Sequence, residues 1–147
     1  EPSAARVACW IDEAVAAGAQ LATGGTRTGN RLAPSVLLGA PPGAKVNVEE
    51  VFAPLVTVQP YRDFAEAVRE VNASRYGLQA GVFTTNLQRA LAAWESLEVG
   101  AVVIGDIPGF RVDHMPYGGV KDSGLGREGV RSAMAEMTEE RLLIVGR

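Results

Sequence analysis

Residues 55–104 read LVTVQPYRDFAEAVREVNASRYGLQAGVFTTNLQRALAAWESLEVGAVVI, and this stretch decides the fold class. Residues 55–60, 80–84 and 101–104 have the apolar, β-branched character of strands, and the two segments between them carry apolar residues at helical spacing. Alternating strands and helices are typical of right-handed parallel crossovers. The continuous apolar run 101–104 is expected where both faces of a sheet are covered. The sequence therefore predicts an α/β fold with three layers, in which helices flank a mostly parallel sheet.

The segments outside this stretch complete the prediction. Apolar residues at helical spacing predict an amphipathic helix over residues 3–17, which ends at Gly18. Further predicted elements are strands over 20–23 and 33–38, a short helix over 129–136 and a closing strand over 141–145. Glycine and proline dominate residues 105–129. An ordered loop of that length in a compact domain is usually functional.

Composition excludes several classes of protein. The chain has 147 residues, of which 47% are hydrophobic, and this suits one domain with its own core. A net charge of -3, with both signs interspersed, provides no basic face for nucleic acid. The apolar runs are too short to cross a bilayer and no leader-like segment opens the chain, so we expect a cytoplasmic setting. One cysteine and one histidine predict neither a disulfide nor a metal site.

Residues 46–54, VNVEEVFAP, place two acids and an aromatic residue in an apolar run that Pro54 closes. A carboxylate at the mouth of a sheet is well placed to bind a ligand, because ligands of α/β sheets gather at strand ends. Solvated acids at a strand edge are the other interpretation of Glu49 and Glu50. The residues alone leave both interpretations open.

One further motif and the single cysteine suggest functions that the neighbouring residues argue against. Residues 124–129 match G-x-G-x-x-G, but a dinucleotide fingerprint needs a hydrophobic strand that leads into the first glycine, and residues 114–123 are not strand-like. Cys9 could be a nucleophile. On the outer face of a helix beside Asp12 and Glu13, however, the pKa of its thiol should be raised, which favours a spectator role.

His114 is the only histidine, so the sequence provides no Ser-His-Asp set. A lone histidine in a loop is usually structural or solvated. Its neighbour Arg111 supports an alternative, in which the two side chains together hold an anionic group of a substrate. Both interpretations stay open on this ground.

Four ordered motifs resemble the aldehyde dehydrogenase superfamily. Residues 49–54, EEVFAP, resemble its E-E-x-F-x-P signature, and Asn72 followed by residues 76–84 resembles its N-x-x-x-Y-G-L-x-x-x-V-F-T segment. Residues 116–124, PYGGVKDSG, resemble its P-F/Y-G-G-x-K-x-S-G, and residues 126–128 complete that run. The resemblance covers essentially the whole chain.

What the resemblance implies is the oxidation of an aldehyde to a carboxylic acid with NAD or NADP. In that family a cysteine thiolate attacks the aldehyde, hydride passes to the nicotinamide, and a glutamate-activated water releases the acid. The resemblance places the cysteine, the glutamate and nearly all of the Rossmann domain upstream of this chain. It therefore implies a C-terminal part of the catalytic domain, with no catalytic residue of its own and no activity when alone.

The resemblance also implies roles for individual residues. Glu50 matches the glutamate that accepts hydrogen bonds from the nicotinamide ribose hydroxyls, and Phe52 matches the aromatic residue beside the nicotinamide. Tyr117 matches an aromatic residue of the substrate tunnel. The variable loop that shapes this tunnel contains Phe110, Arg111 and His114.

For domains and partners, the resemblance assigns residues 1–138 to the catalytic domain and residues 139–147 to a strand of the oligomerisation arm. The implied partners are an aldehyde substrate, the rest of the aldehyde dehydrogenase chain and, in the full-length enzyme, further copies in a dimer or tetramer. An alternative function is a non-catalytic assembly or binding module that uses the C-terminal strand. An unprotected edge strand of this kind favours self-association.

Overall fold

The computed structural model describes residues 2–146. The chain divides into two compact units, one that ends at Asp63 and one that begins at Phe64. Each unit combines helices with a parallel strand pair, β4–β5 in the first and β7–β8 in the second. The α/β class predicted from the sequence is confirmed.

Over residues 2–63, the first unit contains two helices and five strands. In chain order they are α1 (Pro2–Ala16), β1 (Gln20–Thr23), β2 (Arg27–Thr28), β3 (Arg31–Leu32), β4 (Ser35–Leu38), α2 (Lys45–Val48) and β5 (Leu55–Val58). Its sheet has the order β1–β4–β5, with β1 antiparallel and β5 parallel to β4. Since β4 lies between two neighbours, its side chains are the best covered of the sheet. Strands β2 and β3 form a separate hairpin.

The core of this unit lies under α1. Val7, Ile11 and Ala14 follow each other at helical spacing and are at most 1% exposed, as the predicted apolar stripe requires. They pack against buried residues from the sheet, the following loop and α2, namely Ala19, Leu37, Ala40 and Val46. Because α2 contributes Val46, the segment that follows it is anchored to this core.

In the described part of the second unit, residues 64–146, there are three helices and four strands. They are α3 (Phe64–Asn72), β6 (Tyr76–Gly77), β7 (Gln79–Val82), α4 (Leu87–Ser96), β8 (Ala101–Ile104), β9 (Val120–Lys121) and α5 (Val130–Glu136). The side chain of Asn86 accepts a hydrogen bond from the backbone N–H of Arg89 at 3.0 Å, so it caps α4 as the sequence predicts. Strands β6 and β9 pair antiparallel, so the stretch 105–129, which the sequence predicts as one loop, contains a short strand that fixes it to β6.

The closing strand predicted over residues 141–145 is not formed within the described chain. Residues 139–146 have no regular secondary structure, and the side chains of residues 142–145 are between 81% and 90% exposed. A strand needs a neighbour for its backbone hydrogen bonds, and none of residues 2–138 pairs with this segment. Aliphatic residues favour a strand, but they do not determine which segment pairs with it.

Within residues 2–146, no helix has the length and apolar character needed to span a membrane. The same residues contain no cluster of three or more His, Cys, Asp or Glu side chains that could hold a metal ion.

Candidate functional site

The segment after α2 presents two of its side chains to solvent. Along residues 50–53 exposure alternates, because Val51 and Ala53 pack against the core of the first unit while Glu50 and Phe52 face outward. Phe52 is 80% exposed, which is unusual for so large an apolar side chain. The inward pair anchors the segment, and the outward pair is available to a ligand.

Backbone hydrogen bonds fix both ends of this segment. The N–H of Glu49 donates to the carbonyl of Lys45 at 3.0 Å, which closes α2, and the carbonyl of Pro54 accepts from the N–H of Ser35 at 2.9 Å. Asn47 adds side-chain bonds to two carbonyls of the preceding loop, at 3.1 and 2.9 Å. The position of the outward pair is therefore set by α2 on one side and by β4 on the other.

Phe52 has a left-handed backbone conformation, with φ at 47°. A non-glycine residue in this region costs on the order of 1–3 kcal/mol, and such residues cluster at ligand-binding sites where the surroundings impose the conformation. The turn is tight, since the N–H of Leu55 donates to the carbonyl of Ala53 at 2.7 Å. The sequence carries no signal for this strain, because Phe has no preference for positive φ.

The resemblance implies a nicotinamide nucleotide as the ligand, and the residues of this segment fit such a ligand. A carboxylate such as Glu50 accepts two hydroxyl hydrogen bonds at once, as a ribose diol requires. The ring of Phe52, two residues later on the same outward side, offers an apolar face to a planar heterocycle. This part of the site supplies binding groups and no nucleophile.

The second unit brings Arg111, Tyr117 and Glu128 together. The Nη2 atom of Arg111 lies 2.7 Å from Oε2 of Glu128, and its guanidinium lies over the Tyr117 ring, 4.8 Å from the centroid. Tyr117 and Glu128 also exchange backbone hydrogen bonds of 3.0 and 2.6 Å. Glu128 was missed as a candidate site residue, although opposite charge on two residues of one loop was a usable signal.

The remaining predicted substrate residues lie elsewhere in the same loop. Phe110 is half exposed, and its carbonyl accepts from Nε2 of Gln79 at 3.1 Å. His114 is exposed, and among residues 2–146 it makes no hydrogen bond or ion pair with Arg111. The guanidinium of Arg111 is engaged by Glu128 instead, so the joint Arg111–His114 anion site stays a prediction.

Next to Tyr117 a cavity of about 320 Å³ opens between the glycine-rich turn and α5. Arg127 holds this turn, since Nη1 donates to the carbonyls of Gly119 and Gly126 at 2.9 and 2.7 Å. From α5, Glu136 accepts the backbone N–H of Arg127 at 2.8 Å. The G-x-G-x-x-G residues thus lie between an antiparallel strand and a seven-residue helix, which is not the parallel βαβ unit of a dinucleotide fold.

Two of the quoted motifs meet at Lys121. Its Nζ donates to the carbonyls of Asn72 and Ser74 at 2.7 and 3.1 Å and lies 3.0 Å from Oε2 of Glu98. Asn72 in turn accepts the N–H of Glu98 at 2.9 Å, and the hydroxyl of Ser123 accepts the N–H of Gly77 at 2.9 Å. These polar motif residues therefore support the loop that carries Tyr117.

Cys9 is exposed on α1, and its Sγ donates to Oε1 of Glu13 at 3.5 Å. This hydrogen bond raises the pKa of the thiol, and the negative charge of Glu13 adds to the effect. Glu13 remains ionised because Lys45, 2.9 Å away, donates to it and lowers its pKa. A thiol with a raised pKa is a poor nucleophile, so the geometry supports a spectator role for Cys9.

Comparison with known proteins places this geometry in one family. The chain is 46% identical over 142 residues to the 3-sulfolactaldehyde dehydrogenase of Priestia aryabhattai, and this match covers 97% of the chain and 30% of that enzyme. Among solved structures, it is similar to aldehyde dehydrogenase 21 from Physcomitrella patens, in complex with the reaction product succinate. That match has 48% identity and a TM-score of 0.92, and it covers 95% of this chain and 29% of the other.

A third match is the NADP-dependent glyceraldehyde-3-phosphate dehydrogenase from Bacillus halodurans C-125, complexed with NADP. It has 41% identity and a TM-score of 0.91 over 96% of this chain and 30% of the other. The chain thus spans about 30% of the length of the relatives it matches. Residues 1–143 match the model of the aldehyde dehydrogenase family, and this chain belongs to that family.

Proposed function

We propose that this chain is a nicotinamide-binding and substrate-binding part of the catalytic domain of an NAD- or NADP-dependent aldehyde dehydrogenase. The observation that carries the proposal is the outward projection of Glu50 and Phe52 from the E-E-V-F-A-P segment, with Phe52 80% exposed on a left-handed backbone. The relative complexed with NADP supports a dinucleotide as the ligand.

In the proposed reaction the bound nicotinamide accepts hydride from the aldehyde carbon. Glu50 accepts hydrogen bonds from the ribose hydroxyls, which fixes the sugar. Phe52 packs against the heterocycle and restricts its rotation, so that the reacting carbon stays aligned with the substrate. The thiolate and the general base belong to another part of the enzyme in this proposal, because the pKa of Cys9 is raised by its own neighbours.

For the substrate, we propose a small aldehyde that carries an anionic group. Arg111 supports this class, because a guanidinium binds sulfonate, phosphate or carboxylate through one or two charge-assisted hydrogen bonds. Its present partner, Glu128, is 63% exposed and Arg111 is 50% exposed. A surface ion pair of this kind contributes roughly 0–1 kcal/mol, so a substrate anion can replace Glu128 at low cost. The names of the three relatives, which refer to sulfolactaldehyde, succinate and glyceraldehyde-3-phosphate, support the same class.

The substrate proposal is tested in a hybrid enzyme, in which this chain replaces the matching segment of the Physcomitrella enzyme. We expect Arg111→Met to lower kcat/KM for succinic semialdehyde or 3-sulfolactaldehyde by about tenfold, the effect of one lost charge-assisted hydrogen bond. Propanal, which has no anionic group, should be oxidised at an unchanged rate. Steady-state kinetics with both aldehydes measure the difference.

The matched control is Arg89→Met, which removes a guanidinium that lies over the Phe64 ring, outside the loop. This substitution should leave kcat/KM for both aldehydes unchanged. An equal loss for the anionic and the neutral aldehyde in Arg111→Met would contradict anion recognition and indicate a general effect on the loop. Loss of anionic selectivity on His114→Ala as well would support the joint site predicted from the sequence.

We also propose that residues 139–147 pair with another copy of the enzyme, as part of a homo-oligomer. The exposed aliphatic side chains of residues 142–145 support an intermolecular partner. Light scattering of the 147-residue chain should reveal species larger than a monomer, and Leu143→Asp should abolish them. A clean monomer at all concentrations would count against this role.

We further propose a cytoplasmic setting, without nucleic acid or membrane as partners, on the grounds of charge and composition.

A further inference from the structure

Arg6 reaches from α1 to the middle of residues 49–54, the segment that carries Glu50 and Phe52. Its Nη2 donates to the carbonyl of Val51 at 3.2 Å, across 45 residues of sequence. Val51 lies between Glu50 and Phe52, so this bond holds the peptide unit that joins Val51 to Phe52. The bond is partly buried, which shields it from competition by water.

The guanidinium of Arg6 is itself held in place. It lies over the ring of Trp10, 4.3 Å from the centroid, one helical turn further along α1. Trp10 packs against the core of the first unit, so the platform under the guanidinium is fixed. Stacking on an aromatic face and a planar donor geometry are properties of Arg that a Lys side chain reproduces only in part.

We propose that Arg6 is a positioning residue for Glu50 and Phe52. The backbone bonds described above hold the segment at Glu49 and at Pro54, whereas Arg6 fixes its centre at Val51. A left-handed residue such as Phe52 keeps its conformation when its surroundings impose it. Arg6 supplies that constraint from outside the segment, and so sets the direction in which Glu50 and Phe52 project.

The ordering of the segment is tested on the 147-residue chain by amide hydrogen exchange resolved by NMR. In Arg6→Met, which keeps part of the aliphatic side chain and removes the donor, the N–H of Leu55, which donates to the carbonyl of Ala53 within this turn, should exchange about fivefold faster, as expected for one lost hydrogen bond. The carbon chemical shifts of Phe52 should move away from left-handed values. Arg6→Lys should restore part of the protection, because an ammonium still donates to the carbonyl.

Arg27→Met is the matched control within the same unit, since Nε of Arg27 also donates to a carbonyl, that of Gly29, at 2.8 Å. It should leave the exchange of the Leu55 N–H unchanged. Unchanged exchange in Arg6→Met would overturn the proposal. Equally faster exchange throughout β4 would also overturn it, because Arg6 would then be a general support of the fold.

The link to the cofactor rests on the proposed function and is tested separately in the hybrid enzyme. Arg6→Met should raise the KM for the dinucleotide several-fold while the KM for the aldehyde stays the same. If residues 50–53 loosen and the dinucleotide KM does not change, the positioning role toward the cofactor is wrong. If the hybrid without substitutions oxidises no aldehyde, the proposed function fails, and the exchange experiment still decides whether Arg6 orders the segment.

Discussion

Gly100→Ala is expected to lower the free energy of unfolding of the second unit by about 3 kcal/mol or more, one of the largest effects of a single methyl group. A Cβ at this position would overlap the carbonyl oxygen of Gly118 and lie 3.0 Å from that of Leu78. Both obstacles are backbone atoms, so no side chain can rotate to make room. The strand and the loop would have to separate.

The surrounding hydrogen bonds explain why separation is costly. The N–H of Gly100 donates to the carbonyl of Gly77 at 3.0 Å, and the N–H of Ala101 donates to that of Leu78 at 3.2 Å. Both bonds join the start of β8 to the β6–β7 segment. Because Gly118 follows Tyr117, movement at this point also displaces the ring on which Arg111 stacks.

Urea denaturation followed by circular dichroism measures the effect, with Gly109→Ala as the control in the same unit. A Cβ at Gly109 would meet only the Ile107 side chain, at 3.7 Å, and the φ of Gly109 lies outside the left-handed range that disfavours side chains. That variant should be as stable as the unsubstituted chain. A loss below about 1 kcal/mol in Gly100→Ala would mean that the loop can move away from β8.

Helical periodicity predicted the longer helices because it depends on local sequence, whereas the four-residue helix α2 and the two-residue strands were not predicted. The stripe of Val7, Ile11 and Ala14 predicted α1 to within one residue at either end, and Asn86 marked the start of α4. The closing strand predicted over residues 141–145 depends on a partner instead, and no segment within residues 2–146 pairs with it. A strand is completed by a neighbour, and composition does not identify that neighbour.

The candidate site was predictable where a motif identified it and unpredictable where geometry alone defines it. The resemblance selected Glu50 and Phe52 from the residues of one motif, and exposure of both side chains agrees with a ligand role. The left-handed conformation of Phe52 and the contact from Arg6 depend on residues far apart in sequence.

In the hybrid enzyme, Glu50→Gln should raise the KM for the dinucleotide by about 10- to 100-fold, the loss expected when one or two hydrogen bonds to a charged acceptor are removed. A glutamine has one oxygen in place of two, and its amide nitrogen presents donors to a hydroxyl that must also donate. The substitution keeps the size of the side chain. Because Glu50 is exposed, the fold should be unaffected.

Glu49→Gln provides the control, since it removes the same charge from the adjacent position, where the backbone closes α2. If a general negative potential held the dinucleotide, both variants would weaken binding alike, and raised salt would reproduce the effect. If Glu50 accepts the ribose hydroxyls directly, Glu50→Gln alone should act, and the effect should persist at high salt. A dinucleotide whose nicotinamide ribose lacks the 2′-hydroxyl tests the direct interaction further. An analogue that lacks one ribose hydroxyl should bind poorly to the unsubstituted hybrid, and should lose little more on Glu50→Gln, because the two changes remove the same interaction.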